Sequence, residues 1–217
     1  DREASDHFGR AVAVSGSYAI VGADDEDPEG VSGAGAAYIF EYNGTNWVEV
    51  QKITASDKQS SDNFGRTVDI CGEFAIVGAP YEDHNSSGGG YLSGSGSAYV
   101  FERIAGVWTE VAKITAPVRN GSDFFGCAVA ISSDYAVVGA NSEDEDENDM
   151  NTIFTTGSAY VFERSGATWS FMQKIVASDR EAGDYFGFSV DIDESTIVVG
   201  AYNEAPGGTT QAGSLYV

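Results

Sequence analysis

One motif recurs four times along the 217-residue chain, and this repetition limits the folds that the chain can adopt. Each copy begins with Phe-Gly, continues as two short apolar segments joined by a three-residue turn, and closes with Gly-Ala. Successive Phe-Gly pairs are separated by 56, 61 and 61 residues, and their glycines are Gly9, Gly65, Gly126 and Gly187. A period of this length is typical of β-propeller blades rather than of helical solenoids.

Each period contains four segments with the composition of β-strands. In the first copy these segments span residues 8–14, 18–23, 36–42 and 47–54. The first two are apolar at nearly every position, which is typical of inner strands that are covered on both faces. The fourth is the most polar and is therefore predicted to form the outer edge. Because Trp47, Val50 and Ile53 do not share one parity, we expect a β-bulge in this strand.

Short turns between the segments favour antiparallel four-stranded sheets that stack around an axis. We therefore predict an all-β fold, a β-propeller with three complete four-stranded blades and most of a fourth. The blades of this single region, residues 1–217, cover approximately residues 6–56, 62–116, 123–178 and 184–217. The last copy stops inside its third strand, which favours part of a larger ring over a four-blade ring that a partner strand completes. An open stack of sheets is the competing arrangement.

These motifs resemble those of FG-GAP repeat proteins, the family of the integrin α-subunit head. The resemblance rests on Phe64-Gly65 and Gly78-Ala79-Pro80, and it covers the whole chain with weaker third letters at Asp24, Asn141 and Tyr202. It implies a β-propeller, usually of seven blades, with an extracellular binding role and no chemistry. Many such repeats carry a calcium loop between strands one and two, but here that connection has only three residues, as at 15–17. Three residues cannot wrap an ion that takes about six to eight oxygens, so this calcium site is not carried over.

The balance of charged residues narrows the choice of partners. The chain has 11 Lys and Arg against 34 Asp and Glu, which gives a formal net charge of −23. This charge repels nucleic acids and anionic membranes, so nucleic acid is not an expected partner. No apolar run is long enough to cross a bilayer, so direct membrane insertion is not expected. Cations, basic protein surfaces and neutral glycans remain, unless the acidity only keeps a β-rich protein soluble.

Acidic residues recur in register along the four copies. An aspartate lies two residues before the Phe of each Phe-Gly pair, and a Glu-Asp pair follows Gly-Ala in three copies, with Glu204 alone in the fourth. One interpretation is that the aspartates cap turns by accepting backbone N–H hydrogen bonds. The other is a weak calcium site in each blade, with Ca²⁺ as the one candidate cofactor. The candidate ligands are Asp6, Glu26, Asp27, Asp62, Asp123, Asp146 and Asp184.

The connection after strand two and the connection to the next blade are predicted to emerge on one face, because the strands of a blade alternate in direction. Four loops follow strand two and differ most between copies, namely residues 24–35, 81–96, 141–157 and 202–213. A repeated framework with one divergent set of loops favours a binding module, although unconstrained surface loops also diverge. The candidate ligand-contacting residues are Asp24, Asp25, Tyr81, Glu82, Asp83, Tyr91, Glu143, Asp144 and Tyr202.

We predict a non-catalytic binding module that contacts a protein partner or mediates adhesion, at the cell surface or in a secreted assembly. Catalysis is not expected, because His7 and His84 belong to different loops and neither recurs. One alternative is a carbohydrate-binding module with aromatic platforms for a glycan. The aromatic residues available for that role are Tyr81, Tyr91, Phe154 and Tyr202. Another alternative is the structural subunit of an extracellular polymer that self-assembles through the incomplete fourth blade.

Two further features concern the cellular compartment. Three N-glycosylation sequons are present in predicted loops, at Asn43, Asn85 and Asn120, and they are consistent with export. Cys71 and Cys127 occupy different positions of the repeat, some five strand residues or roughly 16 Å apart in register. We therefore expect two free, half-buried thiols rather than a disulfide.

Overall fold

A computed structural model describes residues 4–84, 90–205 and 211–217. The first blade contains β1 (Val12–Ser15), β2 (Tyr18–Ala23), β3 (Ala36–Tyr42) and β4 (Trp47–Ile53). The second contains β5 (Thr67–Cys71), β6 (Phe74–Ala79), β7 (Ser97–Ile104) and β8 (Val107–Ile114). The third contains β9 (Ala128–Ile131), β10 (Tyr135–Ala140), β11 (Ser158–Ser165) and β12 (Thr168–Ile175). The fourth contains β13 (Phe186–Asp193), β14 (Thr196–Ala201) and β15 (Ser214–Tyr216).

The strands form four separate antiparallel sheets, in which strand order follows chain order. Three sheets have four strands and the last has three, while helical structure within the described ranges is confined to a 3-10 turn at Pro28–Gly30. The first strands of successive blades contact one another, β1 with β5, β5 with β9 and β9 with β13. The predicted all-β propeller, with three complete blades and most of a fourth, is therefore confirmed.

The outer strand of each complete blade carries the expected bulge. In the first blade, Ile39 pairs with Gln51 and Phe40 pairs with Glu49, so Val50 is the extra residue. The same register shift recurs between β7 and β8 and between β11 and β12. The broken parity of Trp47, Val50 and Ile53 thus had the structural cause that the sequence indicated.

A glycine directly before the third strand of each complete blade allows the next blade to approach closely. A Cβ atom on Gly35 would lie 2.0 Å from the carbonyl oxygen of Phe64, and these two residues form a parallel bridge between the first and second blades. The same bridge recurs from Gly96 to Phe125 and from Gly157 to Phe186. Only glycine leaves room for this backbone contact, which explains why a glycine precedes the third strand at each of these junctions.

Apolar side chains fill the space between consecutive blades. Ile20 and Ile39 of the first blade pack in one cluster with Val68 and Ile70 of the second. We call the side of a blade that packs on the preceding blade its leading face. Tryptophan at the start of each outer strand belongs to this face, and Trp108 meets Tyr18 of the preceding blade edge-on at 5.7 Å. This packing matches the interpretation of the recurring tryptophans as blade-edge residues.

The leading face of the first blade is the exception. Val12 and Val14 occupy the positions of Val68 and Ile70, yet their exposed fractions are 68% and 66%. An apolar groove of about 540 Å³ runs over them, between Phe8 and Trp47. The expectation that inner strands are covered on both faces is therefore not met at β1, on which no described blade packs from this side. It is not met at β13 either, where Ser189, Asp191 and Asp193 are exposed.

Candidate binding face and its buried charges

The loops after the second strands and the connections between blades meet on one side of the propeller. Backbone hydrogen bonds join them, from Ser61 N to Ser32 O at 2.9 Å and from Ser122 N to Ser93 O at 2.8 Å. We call the surface formed by the described parts of loops 24–35, 81–96, 141–157 and 202–213 the long-loop face. It contains the charged and aromatic residues that the sequence singled out.

A buried glutamate follows the second strand of each blade and is held by the strands beside it. In the first blade, the Tyr38 hydroxyl donates to Glu26 at 2.6 Å and the Lys52 ammonium bonds the same carboxylate. In the third, the Tyr160 hydroxyl donates to Glu143 at 2.5 Å and Lys174 lies 3.3 Å from it. These carboxylates are buried, and a buried carboxylate needs such a partner.

In the second blade, the buried glutamate and the outer-strand lysine contact additional side chains. Glu82 accepts from the Ser97 hydroxyl at 2.6 Å and lies 3.1 Å from the Lys113 ammonium. Lys113 also lies 2.7 Å from Asp57, which accepts the Tyr99 hydroxyl at 2.8 Å. The ammonium therefore bridges two carboxylates, one from its own blade and one from the connection that precedes the blade.

The recurring lysines are functional parts of the framework that sequence reasoning missed. Lys52, Lys113 and Lys174 each stand five residues after the tryptophan that opens the outer strand and one before an isoleucine. This Trp-x₄-Lys-Ile signal was visible in the sequence. A lysine at a fixed position of an otherwise variable polar strand indicates a buried counter-charge.

The aspartates before Phe-Gly act as turn caps. Asp62 accepts the backbone N–H of Gln59 at 2.6 Å, Asp123 accepts that of Asn120 at 2.9 Å, and Asp184 accepts that of Glu181 at 2.6 Å. Asp6 is buried in the same way. The contacts of Asp62, Asp123 and Asp184 thus agree with the capping interpretation. Burial raises the pKa of Asp62 to about 7.

A second set of aspartates clamps the loops from within. Asp27 accepts the N–H of Gly33 at 2.7 Å, Asp83 that of Gly94 at 2.6 Å and Asp144 that of Thr155 at 2.6 Å. Asp146 accepts the backbone N–H groups of Asn148 and Met150 at 2.9 and 3.0 Å. Within residues 4–84, 90–205 and 211–217, no three acidic, His or Cys side chains converge as metal ligands. The calcium interpretation stays a prediction from the sequence.

Negative charge is concentrated at one corner of the third blade. Burial and the negative charge of Glu143 together raise the pKa of Asp123 to about 8. Burial also raises the pKa of Glu143, together with its hydrogen bond to Glu145. These carboxyl groups are protonated more readily than exposed ones, because no cation offsets the whole of their desolvation.

The predicted ligand-contacting residues divide into a buried and an open set. Asp24, Glu82 and Glu143 are buried, and Asp24 lies 2.9 Å from Arg66 and 3.1 Å from His7. Asp25, Asp83 and Asp144 are half-buried. The exposed members are Tyr81, Tyr91 and Tyr202. The face therefore offers a partner more aromatic surface and less free carboxylate than the sequence suggested.

A cavity of about 500 Å³ opens between the four blades, and its lining differs from blade to blade. The residue after each Phe-Gly pair contributes to it, and these residues are Arg10, Arg66, Cys127 and Phe188. Tyr81 and Phe124 join the wall and meet edge-on at 5.3 Å, while Phe188 lies 4.3 Å from the ring of Tyr202. Sequence reasoning missed the cavity residues other than Tyr81. Their signal was variation at one fixed position next to an invariant pair.

Comparison with known proteins identifies the repeat. The sequence profile of the FG-GAP repeat matches residues 1–40, 47–101, 108–162 and 169–217. The chain belongs to the FG-GAP repeat family. Each matched unit after the first starts at the outer strand of one blade and continues into the next, so the FG-GAP unit spans a blade junction.

The fold is also that of a more distant propeller. The solved structure of the Neurospora crassa Pan2 WD40 domain matches 94% of this FG-GAP chain with a TM-score of 0.52 and 13% sequence identity. The FG-GAP chain spans 49% of that chain's length. At this identity the likeness concerns the fold alone. A search of curated protein sequences found no match.

The FG-GAP chain has two described sequon asparagines. Asn43 is exposed in the turn between β3 and β4, where its side chain accepts the N–H groups of Thr45 and Asn46 at 3.0 Å. Asn120 is half-buried and donates to Glu145 at 3.3 Å. Asn85 lies outside the described residues. In the described ranges, no helix is long and apolar enough to span a membrane.

The two thiols of the FG-GAP chain are free, as expected, and half-buried. Burial raises the pKa of Cys127 to about 12 and also raises that of Cys71. A thiol with a raised pKa is a poor nucleophile at neutral pH, because the thiolate is the reactive form.

Proposed function

We propose that this FG-GAP propeller is a non-catalytic binding module that recognises a protein partner through its long-loop face, at the cell surface or in a secreted assembly. Membership of the FG-GAP family supports a binding or structural role. The framework of buried charges repeats from blade to blade, whereas the cavity lining changes. A constant framework with a variable cavity lining suits recognition, since the variable groups determine which partner binds.

The observation that carries the proposal is the composition of the open centre of the long-loop face. Arg10, Arg66 and exposed Tyr81 line the cavity together, and Tyr202 stands beside Phe188. Arginine and tyrosine are enriched at the energetic centres of protein interfaces. Most of the acidic groups around this centre are engaged with backbone N–H groups or lysines. A partner therefore meets the aromatic groups first, beside the guanidinium groups of Arg10 and Arg66, which already pair with buried Asp24 at 3.6 and 2.9 Å.

The experiment compares a double tyrosine substitution on the long-loop face with a single control substitution, in cross-linked affinity capture from an extracellular protein fraction. The double variant Tyr81→Ala/Tyr202→Ala should fail to capture the partner that the parent protein captures. When that partner is purified, its affinity for the double variant should be at least tenfold lower than its affinity for the parent. Tyr42→Ala is the matched control, because Tyr42 is 42% exposed against 41% for Tyr81 but lies beside the hairpin on the opposite side. Equal capture by all variants would contradict the proposal. Binding that free sugar abolishes would favour a carbohydrate-binding module instead.

A second candidate function is that of a structural subunit, and the uncovered leading face of the first blade favours it. An exposed apolar groove over Val12 and Val14 is the kind of surface that other molecules cover. If copies assemble through it, Val12→Asp should shift sedimentation from polymers to a 22.8 kDa monomer. A wild-type chain that is monomeric at all concentrations would exclude this function.

A further inference from the structure

The cavity between the blades carries an excess of positive charge, although the chain as a whole is strongly acidic. Its lining includes Arg10 and Arg66 and no described aspartate or glutamate. Both guanidinium groups pair with the same oxygen of one buried carboxylate, Asp24, at 3.6 and 2.9 Å. The other oxygen of Asp24 lies 3.1 Å from His7. Two guanidinium groups therefore share one negative charge at the wall of the cavity.

Most N–H donors of these two arginines are open to a further acceptor. The side chain of Arg10 is 43% exposed, and its distance from Asp24 is longer than a hydrogen bond. In the described part of the chain, no residue accepts a hydrogen bond from the Arg10 guanidinium. Arg66 donates to Asp24 through Nη1 and is 33% exposed. A guanidinium has five donors in a planar fork that matches a carboxylate, so both groups can bind a second anion.

The lysines of the framework show the opposite balance of charge. Lys113 lies 2.7 Å from Asp57 and 3.1 Å from Glu82, so one cation serves two carboxylates. Lys174 also lies between two carboxylates. A further anion at either lysine would meet a surplus of negative charge. The arginines of the cavity are therefore better placed than these lysines to bind an acidic group.

The rest of the cavity wall is uncharged and largely aromatic. Tyr81, Phe124 and Phe188 line it, and the polar residues Thr67 and Asn141 carry no charge. Eight of the eleven lining residues belong to the second and third blades and the connection between them, and each of these blades has a described neighbour on both sides. The volume of about 500 Å³ lies within the range of ligand sites. A concave site with charge of one sign attracts ligands of the opposite sign.

We propose that this cavity binds a carboxylate with an apolar or aromatic group beside it, and that the carboxylate is an acidic side chain of the protein partner. Arg10 and Arg66 donate to the carboxylate, while the rings of Tyr81 and Phe124 contact the neighbouring apolar group. This assignment rests on the proposed function of the long-loop face, since it names the group that the partner presents there.

The test compares acetyl-Phe-Asp-Phe-amide with acetyl-Phe-Asn-Phe-amide, because these peptides differ only in the carboxylate. Calorimetric titration of the 217-residue chain at pH 7 should give at least about tenfold tighter binding of the aspartyl peptide. The net charge of −23 by itself favours the neutral peptide, so the expected preference requires a local positive site. Equal binding of the two peptides, or no binding of either at millimolar concentration, would overturn the proposal.

The variant Arg10→Gln tests whether the cavity is that site. It should reduce the preference between the two peptides to less than about threefold, because it removes a charged donor. Arg103→Gln is the matched control and should keep the preference, since it removes the same charge at a pair with Glu73, 3.3 Å apart beside the hairpin between β5 and β6. Arg66→Gln serves as a second variant if Arg10→Gln fails to fold. A preference that survives Arg10→Gln, or that Arg103→Gln reduces equally, would overturn the proposal.

Two further probes identify the source of the carboxylate. The compound 3-phenylpropionate carries it as a free small molecule, and glucuronate carries it on a sugar. Tighter binding of either probe than of the aspartyl peptide would overturn the assignment to a protein side chain. A parent protein that captures its partner but shows no peptide preference would reject the carboxylate alone. Partner capture that Tyr81→Ala/Tyr202→Ala retains would instead reject the proposed function.

Discussion

Gly22 of the first blade faces the carbonyl oxygen of Gly65 in the second so closely that a Cβ atom on Gly22 would lie 2.0 Å from that oxygen. The same contact joins Gly78 to Gly126 and Gly139 to Gly187. The first glycine of each pair belongs to the Gly-Ala motif of one blade, and the second belongs to the Phe-Gly motif of the next blade. The two halves of the repeat signature therefore touch across blades, and each blade junction depends on both.

Substitution of Gly65 tests this junction. A Cβ atom there would lie 2.3 Å from the carbonyl oxygen of Ala36, whereas one on Gly9 would meet nothing within 4 Å. Both glycines have nearly the same positive φ, +93° and +94°, so the backbone strain of an alanine is matched. We expect Gly9→Ala to lower the free energy of unfolding by about 1 to 2 kcal/mol. Gly65→Ala should lower it by about 4 kcal/mol or more in urea denaturation, and equal losses would contradict the role of the junction.

Removal of a buried lysine should destabilise the fold, because the buried glutamate that it neutralises is left unpaired. Lys174→Met leaves Glu143 without its cation, and we expect the free energy of unfolding at pH 8 to fall by about 3 to 5 kcal/mol. The control is Lys58→Met, because Lys58 pairs at 3.4 Å with the exposed Glu29. That change should cost less than about 1 kcal/mol. Since Glu143 can take up a proton, the loss in Lys174→Met should be smaller at pH 5, and a loss that does not change with pH would argue against an unpaired carboxylate.

Stability should decrease as the pH rises. The pKa values of about 7 for Asp62 and about 8 for Asp123 lie above the value of about 3.9 for an unfolded chain. The folded state therefore binds more protons between these limits, and the stabilisation is lost as the pH rises through the folded pKa. After allowance for solvent screening, we expect the free energy of unfolding to be roughly 1 to 2 kcal/mol lower at pH 8 than at pH 5.

The variant Asp123→Asn provides the control for this pH dependence. Its amide oxygen can still accept the N–H of Asn120, but it does not titrate. The slope of stability against pH should be shallower in the variant than in the parent. A parent protein that becomes more stable from pH 5 to pH 8 would show that these carboxyl groups are ionised without penalty.

Calcium remains testable by thermal unfolding. The sequence-based prediction of a weak site in each blade implies that millimolar Ca²⁺ raises the unfolding temperature at pH 8 more than Mg²⁺ does at equal concentration. Mg²⁺ is the control because it screens charge equally but demands a stricter octahedral geometry. Equal effects of both ions would mean that the crowded carboxylates around Asp123 and Glu143 are only screened, and the calcium prediction would be wrong.

The fold could be predicted because its determinants are local and repeated. The Phe-Gly and Gly-Ala motifs mark the strand pairs, and the broken parity of Trp47 and Val50 marks the bulge. The exposure of Val12 and Val14 could not be predicted in this way, since their sequence matches that of buried residues in other blades. Burial at a blade junction depends on the neighbouring blade and not on the strand itself.

The candidate site was predicted less completely. The register of Asp62 and Asp123 indicated a shared role, and turn chemistry offered the capping that the contacts show. The sequence could not reveal that Glu82 and Glu143 are buried, because a glutamate in a loop is exposed in most proteins. The lysines that neutralise them lie about 30 residues further along the chain, on a strand whose polarity suggested an exposed edge.

The closure of the long loops is the same in every blade, although the loops differ. The N–H of Gly35 bonds the carbonyl oxygen of Glu26 nine residues earlier, and that of Gly96 bonds Glu82 fourteen residues earlier, both at 2.9 Å. Gly157 and Gly213 close their loops at the same distance. Because the ends of each loop are fixed in the same way, we expect that a loop of another length can be grafted between them if it keeps the aspartate that clamps the loop from within.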